Sequence, residues 1–346
     1  MSRNLNVACR LADNAGRFPL SDAVIQSTKN GYKKITYLEL ETDSNCIAAA
    51  MSDLGIGRGQ RIALFVRYGI DFISLVFALL KTGATIVLID PGMGIRRMLD
   101  CLVEIEPDGM VAIPAVHLVR KIMRRKFPKS KYNITVGHNL FFGGLTLDKI
   151  RREKKLDKFD PAQTADDDNA AIIFTSGSTG APKGVEFTHG IFNTQIDEIA
   201  NCYGIVTGEV DLACFPLFGL FDLAMGVTAV IPEFDPTKPA KADPIKIIRT
   251  ANDCKITQAF ASPAIWNRVA NYCDEAKVDP NVGGKNYRNK NSFSNIPTFS
   301  IPTLRRVISA GAPVSATILQ KLKPHIHPQG ELFTPYGATE SLPTAS

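Results

Sequence analysis

The sequence has no Cys-x-x-Cys pair: its seven cysteines, Cys9, Cys46, Cys101, Cys202, Cys214, Cys254 and Cys273, are odd in number and scattered. That excludes a zinc ribbon or a dithiol redox centre and suits thiols kept reduced. The histidines (His117, His138, His189, His325 and His327) show no ligand spacing, so none is assigned chemistry. A secretory signal is lacking too, because Met-Ser-Arg-Asn-Leu-Asn opens without an apolar run or a small-residue cleavage site. These absences together point to a cytoplasmic protein. The longest apolar stretch, Phe72 to Ile89, is broken by Lys81, Thr82 and Gly83, and reads as a buried helix, a turn and a strand rather than a membrane span. A net charge of +6 spread over 346 residues makes no case for nucleic acid, while leaving room for a small anionic ligand.

What is present is ordinary globular material, 45% apolar and 21% charged, and long enough for two domains. A helix-like run from Leu38 to Leu54 ends at Gly55-Ile-Gly-Arg-Gly59. From Arg61 strands alternate with helices: strand 61–66, helix 71–81, strand 84–89, a turn at Asp90-Pro-Gly, helix 96–103, strand 109–113. Continuous apolar strands between amphipathic helices predict a parallel sheet covered on both faces. A basic stretch, Val116 to Phe127, carries Arg120, Lys121, Arg124, Arg125 and Lys126. It reads first as a solvated helix face, with contact to an anionic membrane surface as the alternative. Residues 149–168 turn polar and end in Asp166-Asp-Asp168, which is taken as a linker, giving a first α/β subdomain at 1–168 and a second at 169–346. In the second half, helices are expected at 189–203, 244–253 and 263–276, and strands at 211–215 and 256–261. The polar stretch 280–302 reads as a surface loop.

The segment Ile172 to Thr188 organises the chain: two apolar strands flank Thr175-Ser-Gly-Ser-Thr-Gly-Ala-Pro-Lys-Gly184. Gly177, Gly180 and Gly184 allow successive N–H groups to converge on an anion. Thr175, Ser176, Ser178 and Thr179 add hydroxyls, and Lys183 a mobile charge. Such a loop fits a polyphosphate. It is not the common nucleotide loop, whose second glycine stands five residues beyond the first with lysine next, because five on from Gly177 stands Pro182.

This string resembles the signature loop of the adenylate-forming superfamily of acyl-CoA synthetases, peptide-synthetase adenylation domains and luciferases. Downstream, Thr334-Pro-Tyr-Gly-Ala-Thr-Glu340 is similar to that superfamily's Tyr-Gly-x-Thr-Glu motif. The resemblance implies two stacked parallel-sheet α/β subdomains, those of the family's N-terminal domain, using ATP and Mg²⁺. It implies that the 175–184 loop closes on the β- and γ-phosphates with Lys183 stabilising the leaving pyrophosphate, and that Thr339 touches the α-phosphate. Glu340, with Thr179, would hold the metal, Tyr336 would stack on adenine, and Gly337 would permit close backbone approach. Ser309-Ala-Gly-Ala-Pro313 matches a family segment lining the adenine and acyl pockets, which makes Ala310, Gly311, Ala312 and Pro313 candidates. Family members continue with a ribose-binding aspartate and a small domain bearing a catalytic lysine. The expectation is therefore that this chain alone forms adenylate poorly.

Phe215-Pro-Leu-Phe-Gly-Leu-Phe-Asp222 is similar to a family segment whose aromatic and histidine face the acyl site, which nominates Phe215, Phe218 and Gly219; here Gly219 stands where histidine is usual. Together with Val230-Ile-Pro-Glu-Phe-Asp-Pro236, Ala261-Ser-Pro-Ala-Ile-Trp266 and Ser309-Ala-Gly-Ala-Pro313, it looks most like the β-lactone synthetases of long-chain olefin biosynthesis. That branch implies a 3-hydroxy fatty acid whose own hydroxyl attacks the adenylate, with pathway enzymes as potential partners. A fatty acyl-CoA ligase, with CoA as acceptor, is the alternative. A non-catalytic nucleotide- or acyl-binding fragment is a second, against which Lys183 and Glu340 stand, since packing needs neither. Trp266 is expected in the core rather than on an acyl tunnel.

Overall fold

The computed structural model describes residues 4–138, 144–175, 183–278, 299–338 and 341–345. They divide into two compact units: one holds residues 1–21 and 35–205, the other 22–34 and 206–346. After helix α1 (Cys9–Arg17), strands β1 (Asp22–Thr28) and β2 (Gly31–Thr36) belong to the sheet of the second unit.

The first unit continues with α2 (Tyr37–Asp53), β3 (Arg61–Phe65), α3 (Ile70–Thr82), β4 (Thr85–Ile89), α4 (Ile95–Ile105), β5 (Gly109–Ala112), α5 (Pro114–Ile122), β6 (Tyr132–Thr135), β7 (Leu145–Thr146), α6 (Leu147–Glu153), β8 (Asn169–Thr175), β9 (Lys183–Thr188) and α7 (His189–Tyr203). Its sheet runs β7-β6-β5-β3-β4-β8-β9, parallel except for the β8–β9 pair. Thr36 starts α2 with a capping box: its hydroxyl accepts from the Glu39 N–H at 3.2 Å while the Glu39 carboxylate accepts from the Thr36 N–H at 2.8 Å. Helix α3 is apolar all round, and every residue but Asp71 is buried. Lys81 does not interrupt it. Its ammonium lies buried against α2, 2.7 Å from Glu41, 2.8 Å from Ser44 and 2.6 Å from Asn45, so three polar groups replace its water. Gly83, at φ 76°, ends α3 in a left-handed turn that other residues adopt only with strain.

The expected boundary at 168/169 is overturned by strand pairing. β8 lies parallel to β4, with Ile86 beside Ala171 and Ile89 beside Phe174, so the loop strands complete the first sheet. The reason is burial: Ala170, Ala171, Ile172 and Phe174 are all covered, as an interior strand requires. The acidic triplet is a turn within the unit. Asp168 accepts from the Ala165 N–H at 2.8 Å and from Arg58 at 2.8 Å. The stretch taken as linker begins as α6, capped by Thr146 and held by Arg151, which reaches Asp43 (2.8 and 2.7 Å) and Asp71 (2.8 Å).

The second unit holds β10 (Val210–Ala213), α8 (Pro216–Met225), β11 (Thr228–Ile231), α9 (Pro244–Asp253), β12 (Gln258–Ala261), α10 (Pro263–Val278), β13 (Arg306–Ser309), α11 (Ala316–Leu322), β14 (Glu331–Phe333), β15 (Tyr336–Ala338) and β16 (Ser341–Ala345). Its main sheet runs β14-β13-β12-β10-β11-β1-β2, with β1 parallel to β11. Trp266 packs in its core at 1% exposure, as expected. Most of the surface loop expected at 280–302 lies outside the described residues.

Candidate functional site

In the first unit β8 and β9 form an antiparallel hairpin in which Thr175 faces Lys183 and Phe174 faces Gly184. The loop it carries, with Ser176, Gly177, Ser178, Thr179 and Gly180, lies outside the described residues, but both stems are fixed by seven strands of sheet. Lys183 stands exposed at the loop's exit and joins no ion pair among the described residues. Gly184 has a steric reason that the motif alone does not supply. A Cβ there would stand 2.8 Å from Phe174 Cζ and 2.9 Å from Ile172 Cγ2, inside contact distance.

In the second unit the candidates gather along one edge of the sheet. β13, β12 and β10 are parallel neighbours, so their carboxyl ends lie together. Such an edge is where open α/β sheets take ligands. Behind β10, the expected strand through Phe215 stops at Ala213, because Pro216 starts α8 and leaves Phe215 as its extended cap residue. Phe215 is 48% exposed. Phe218, one turn into α8, is buried and stacks on Phe260 of β12 with ring centres 4.2 Å apart and planes at 15°; Phe215 lies 5.9 Å from the same ring. Gly219 is buried within α8. Three rings thus form an aromatic wall at the sheet edge.

Behind β13 come Ala310, half-buried, and Gly311, Ala312 and Pro313, exposed. Gly311 sits at φ 91° with nothing within 4 Å of a Cβ, so backbone conformation rather than space selects glycine there. Tyr336, 75% exposed, and Gly337 lie on β15, which pairs antiparallel with β16. Thr339 and Glu340, which lie between these strands in sequence, fall outside the described residues, as does Thr179. Among the described residues no group of three or more His, Cys, Asp or Glu is placed to hold a metal ion.

The elements that carry the aromatic wall also carry a polar cluster that the sequence reading missed. Asp211 on β10 and Asp222 on α8 are fully buried with their carboxyls in hydrogen-bonding reach of each other. Two acceptors bond only through a proton. Burial, then mutual repulsion, raises Asp222 well above the usual carboxylate range; burial raises Asp211. Gln258 on β12 donates to Asp222 at 3.4 Å, and its oxygen accepts from Arg306 on β13 at 2.8 Å. Arg306 also meets Glu209 at 2.8 Å. The signal in the sequence was weak: two acids in otherwise apolar runs, Val-Asp-Leu-Ala-Cys and Phe-Asp-Leu-Ala.

Among histidines, His189 is fully buried; its Nδ1 accepts from the Val7 N–H at 3.2 Å, and burial pushes it down to about 4. This is a neutral structural imidazole.

Comparison with known proteins matches residues 11–346 to the AMP-binding enzyme family. The olefin beta-lactone synthetase of Xanthomonas campestris pv. campestris is 39% identical over 312 residues, covering 90% of this chain and 51% of its own length. That of Stenotrophomonas maltophilia is 37% identical over 353 residues, covering 100% and 59%. The chain therefore spans about half to three-fifths of these relatives. Among solved structures, a long-chain-fatty-acid-CoA ligase from Archaeoglobus fulgidus matches 99% of the chain and 65% of its own, with TM-score 0.80 at 19% identity. An anthranilate CoA ligase in complex with anthranoyl-AMP matches 96% of the chain and 60% of its own, with TM-score 0.77 at 17% identity. These two show the shared fold. The loop hairpin, the sheet-edge segments and the match over nearly all of the chain give one conclusion: the chain belongs to the AMP-binding enzyme family.

Proposed function

We propose that this chain is the ATP- and acyl-binding part of an enzyme that activates a long-chain 3-hydroxy fatty acid as its adenylate and then closes it to a β-lactone. The observation that carries this reading is the identity of 39% and 37% to two olefin beta-lactone synthetases along 90% and 100% of the chain. The aromatic wall of Phe215, Phe218 and Phe260 supports an apolar acid as substrate. The substrate carboxylate is ionised at neutral pH, so its oxygen attacks the α-phosphorus without a general base, and the bond to the pyrophosphate oxygen breaks. The residues of this chain then serve position and charge. Lys183 and the 175–184 loop neutralise the departing pyrophosphate, Thr339 orients the α-phosphate, and Tyr336, Gly337 and the 310–313 segment seat the adenine. Glu340 and Thr179 offer hard oxygen donors of the kind Mg²⁺ takes, and the ion would neutralise phosphate charge there. In the second step the 3-hydroxyl oxygen attacks the acyl carbon, its proton passes to solvent, and AMP leaves. Held on one molecule, nucleophile and carbonyl need no second substrate.

Transfer to CoA, giving a fatty acyl-CoA ligase, is the second reading, with which the fold shared with a long-chain-fatty-acid-CoA ligase is equally compatible. Either reading places the enzyme in the cytoplasm, where ATP is supplied. An acid this apolar partitions into bilayers, so weak contact with a membrane surface, and hand-over to further pathway enzymes, belong to the same proposal.

The test of the nucleotide half is ATP binding by calorimetry with Mg²⁺ present. Lys183→Ala is expected to weaken it roughly tenfold to hundredfold, the range for a lost charge-assisted hydrogen bond, with an unchanged melting temperature because the side chain is exposed. Equal affinity in the variant would remove Lys183 from the phosphate site.

A further inference from the structure

We infer that the outer face of α5 and the turn after it docks on an anionic lipid surface. Helix α5 has two faces. The inner one is pinned: His117 is buried with Nε2 3.0 Å from the Ile134 carbonyl, and Met123 and Phe127 pack on the core over the first sheet. The outer one is set by that pinning, and it is apolar as well. Leu118 and Ile122, four residues apart and hence on one side of the helix, are 48% and 74% exposed.

Single exposed aliphatics need no explanation, but these two are flanked by cations. Between Pro114 and Lys131 the chain carries Arg120, Lys121, Arg124, Arg125, Lys126, Lys129 and Lys131 and no acid. Arg124, Arg125 and Lys126, all exposed, form a 3₁₀ turn continuing the helix and join no ion pair among the described residues. Glu106 is committed to Lys129 at 2.7 Å. A solvated charged face would carry polar residues at 118 and 122. Nucleic acid would answer the cations and leave the aliphatics in water. An anionic bilayer answers both, taking Leu118 and Ile122 into the headgroup boundary while its phosphates meet the cations.

The inference names a surface for the membrane contact proposed above, and because its test measures partition alone, it can fail without touching the adenylation reading. The full chain is sedimented with vesicles of phosphatidylcholine, and with vesicles of phosphatidylcholine and phosphatidylglycerol mixed three to one. Binding is expected to the anionic vesicles only, and to fall with added salt. Arg124→Gln with Arg125→Gln should weaken it by about fivefold per cation removed, and Ile122→Ser by roughly tenfold. All three sites are exposed, so far-UV circular dichroism should not change, and Lys29→Gln with Lys33→Gln, on the exposed β1–β2 connection and strand, should leave binding intact. Equal binding to both vesicles, binding to neither, or an Ile122→Ser variant that binds as well as the parent would each overturn the inference. So would a dimer in sedimentation velocity that Ile122→Ser dissociates, since the face would then belong to a second copy.

Discussion

Gly184 and the Asp211–Asp222 pair are the residues at which chemistry and packing are hardest to separate. Gly184→Ala places a methyl inside the rings and methyls of Phe174 and Ile172. We expect a loss of about 1–3 kcal/mol, read as a lower unfolding midpoint, before any effect on ATP is considered. The carboxyl pair predicts a pH dependence with a definite sign. Both groups are held above the usual carboxylate range by burial, so the folded state binds more protons than the unfolded chain once the pH exceeds about 4. Stability of the second unit therefore falls as pH rises from there through the folded pKa values, by up to about 1.4 kcal/mol per pH unit for one proton. Asp222→Asn keeps the shape and supplies a donor to Asp211, so it should flatten that slope in a series of melts. A variant with the parent's slope would mean that the pair holds no extra proton. His189 runs the other way. Its imidazole is pushed down to about 4, so the first unit keeps that contribution above about 6.5 and loses it as pH falls toward 4.

At the scale of elements, Lys81 joins α3 to α2 through Glu41, Ser44 and Asn45. Lys81→Ala strands the Glu41 carboxylate in a site 13% exposed, and should cost about 3–5 kcal/mol in denaturant unfolding. A Lys81→Ala, Glu41→Ala double variant costing much less than the sum of the singles would confirm that the pair acts together. Elements were well legible where local signals are strong. Helices α7 and α9 begin and end at the expected residues, His189–Tyr203 and Pro244–Asp253, because a Thr or Asp cap, and a Pro at the start of α9, mark their starts. Phe215 fits a strand by its apolar character alone, whereas the following proline sets the helix start. The buried acids were illegible for the opposite reason, since nothing local tells an acid in an apolar run that it will be covered.

For the molecule as a whole, the alternation of strands and helices revealed the parallel-sheet class but not its division. β8 could have joined either sheet by pattern, and β1 leaves its sequence neighbours for the second sheet. Sheet membership is a long-range property, and linear reading placed the cut where composition changed. A fragment of residues 1–168 tests this directly. It lacks β8 and β9, exposes the apolar edge of β4, and should give poor amide dispersion in NMR. A well-dispersed, cooperatively melting fragment would restore the linear division.

On the proposed function, the sheet edge bearing Phe215, Phe218 and Gly311 holds the adenylate of a 3-hydroxy fatty acid. The most direct measurement is calorimetric binding of three non-hydrolysable ligands to this chain: a long-chain acyl-adenylate mimic with a 3-hydroxyl, the same chain without it, and the nucleoside alone. Both acyl mimics are expected to bind more tightly than the nucleoside, and the 3-hydroxyl form to bind best. Equal binding of the two acyl forms would move the reading to a CoA ligase, and nucleoside binding that acyl chains do not improve would contradict the acyl site altogether.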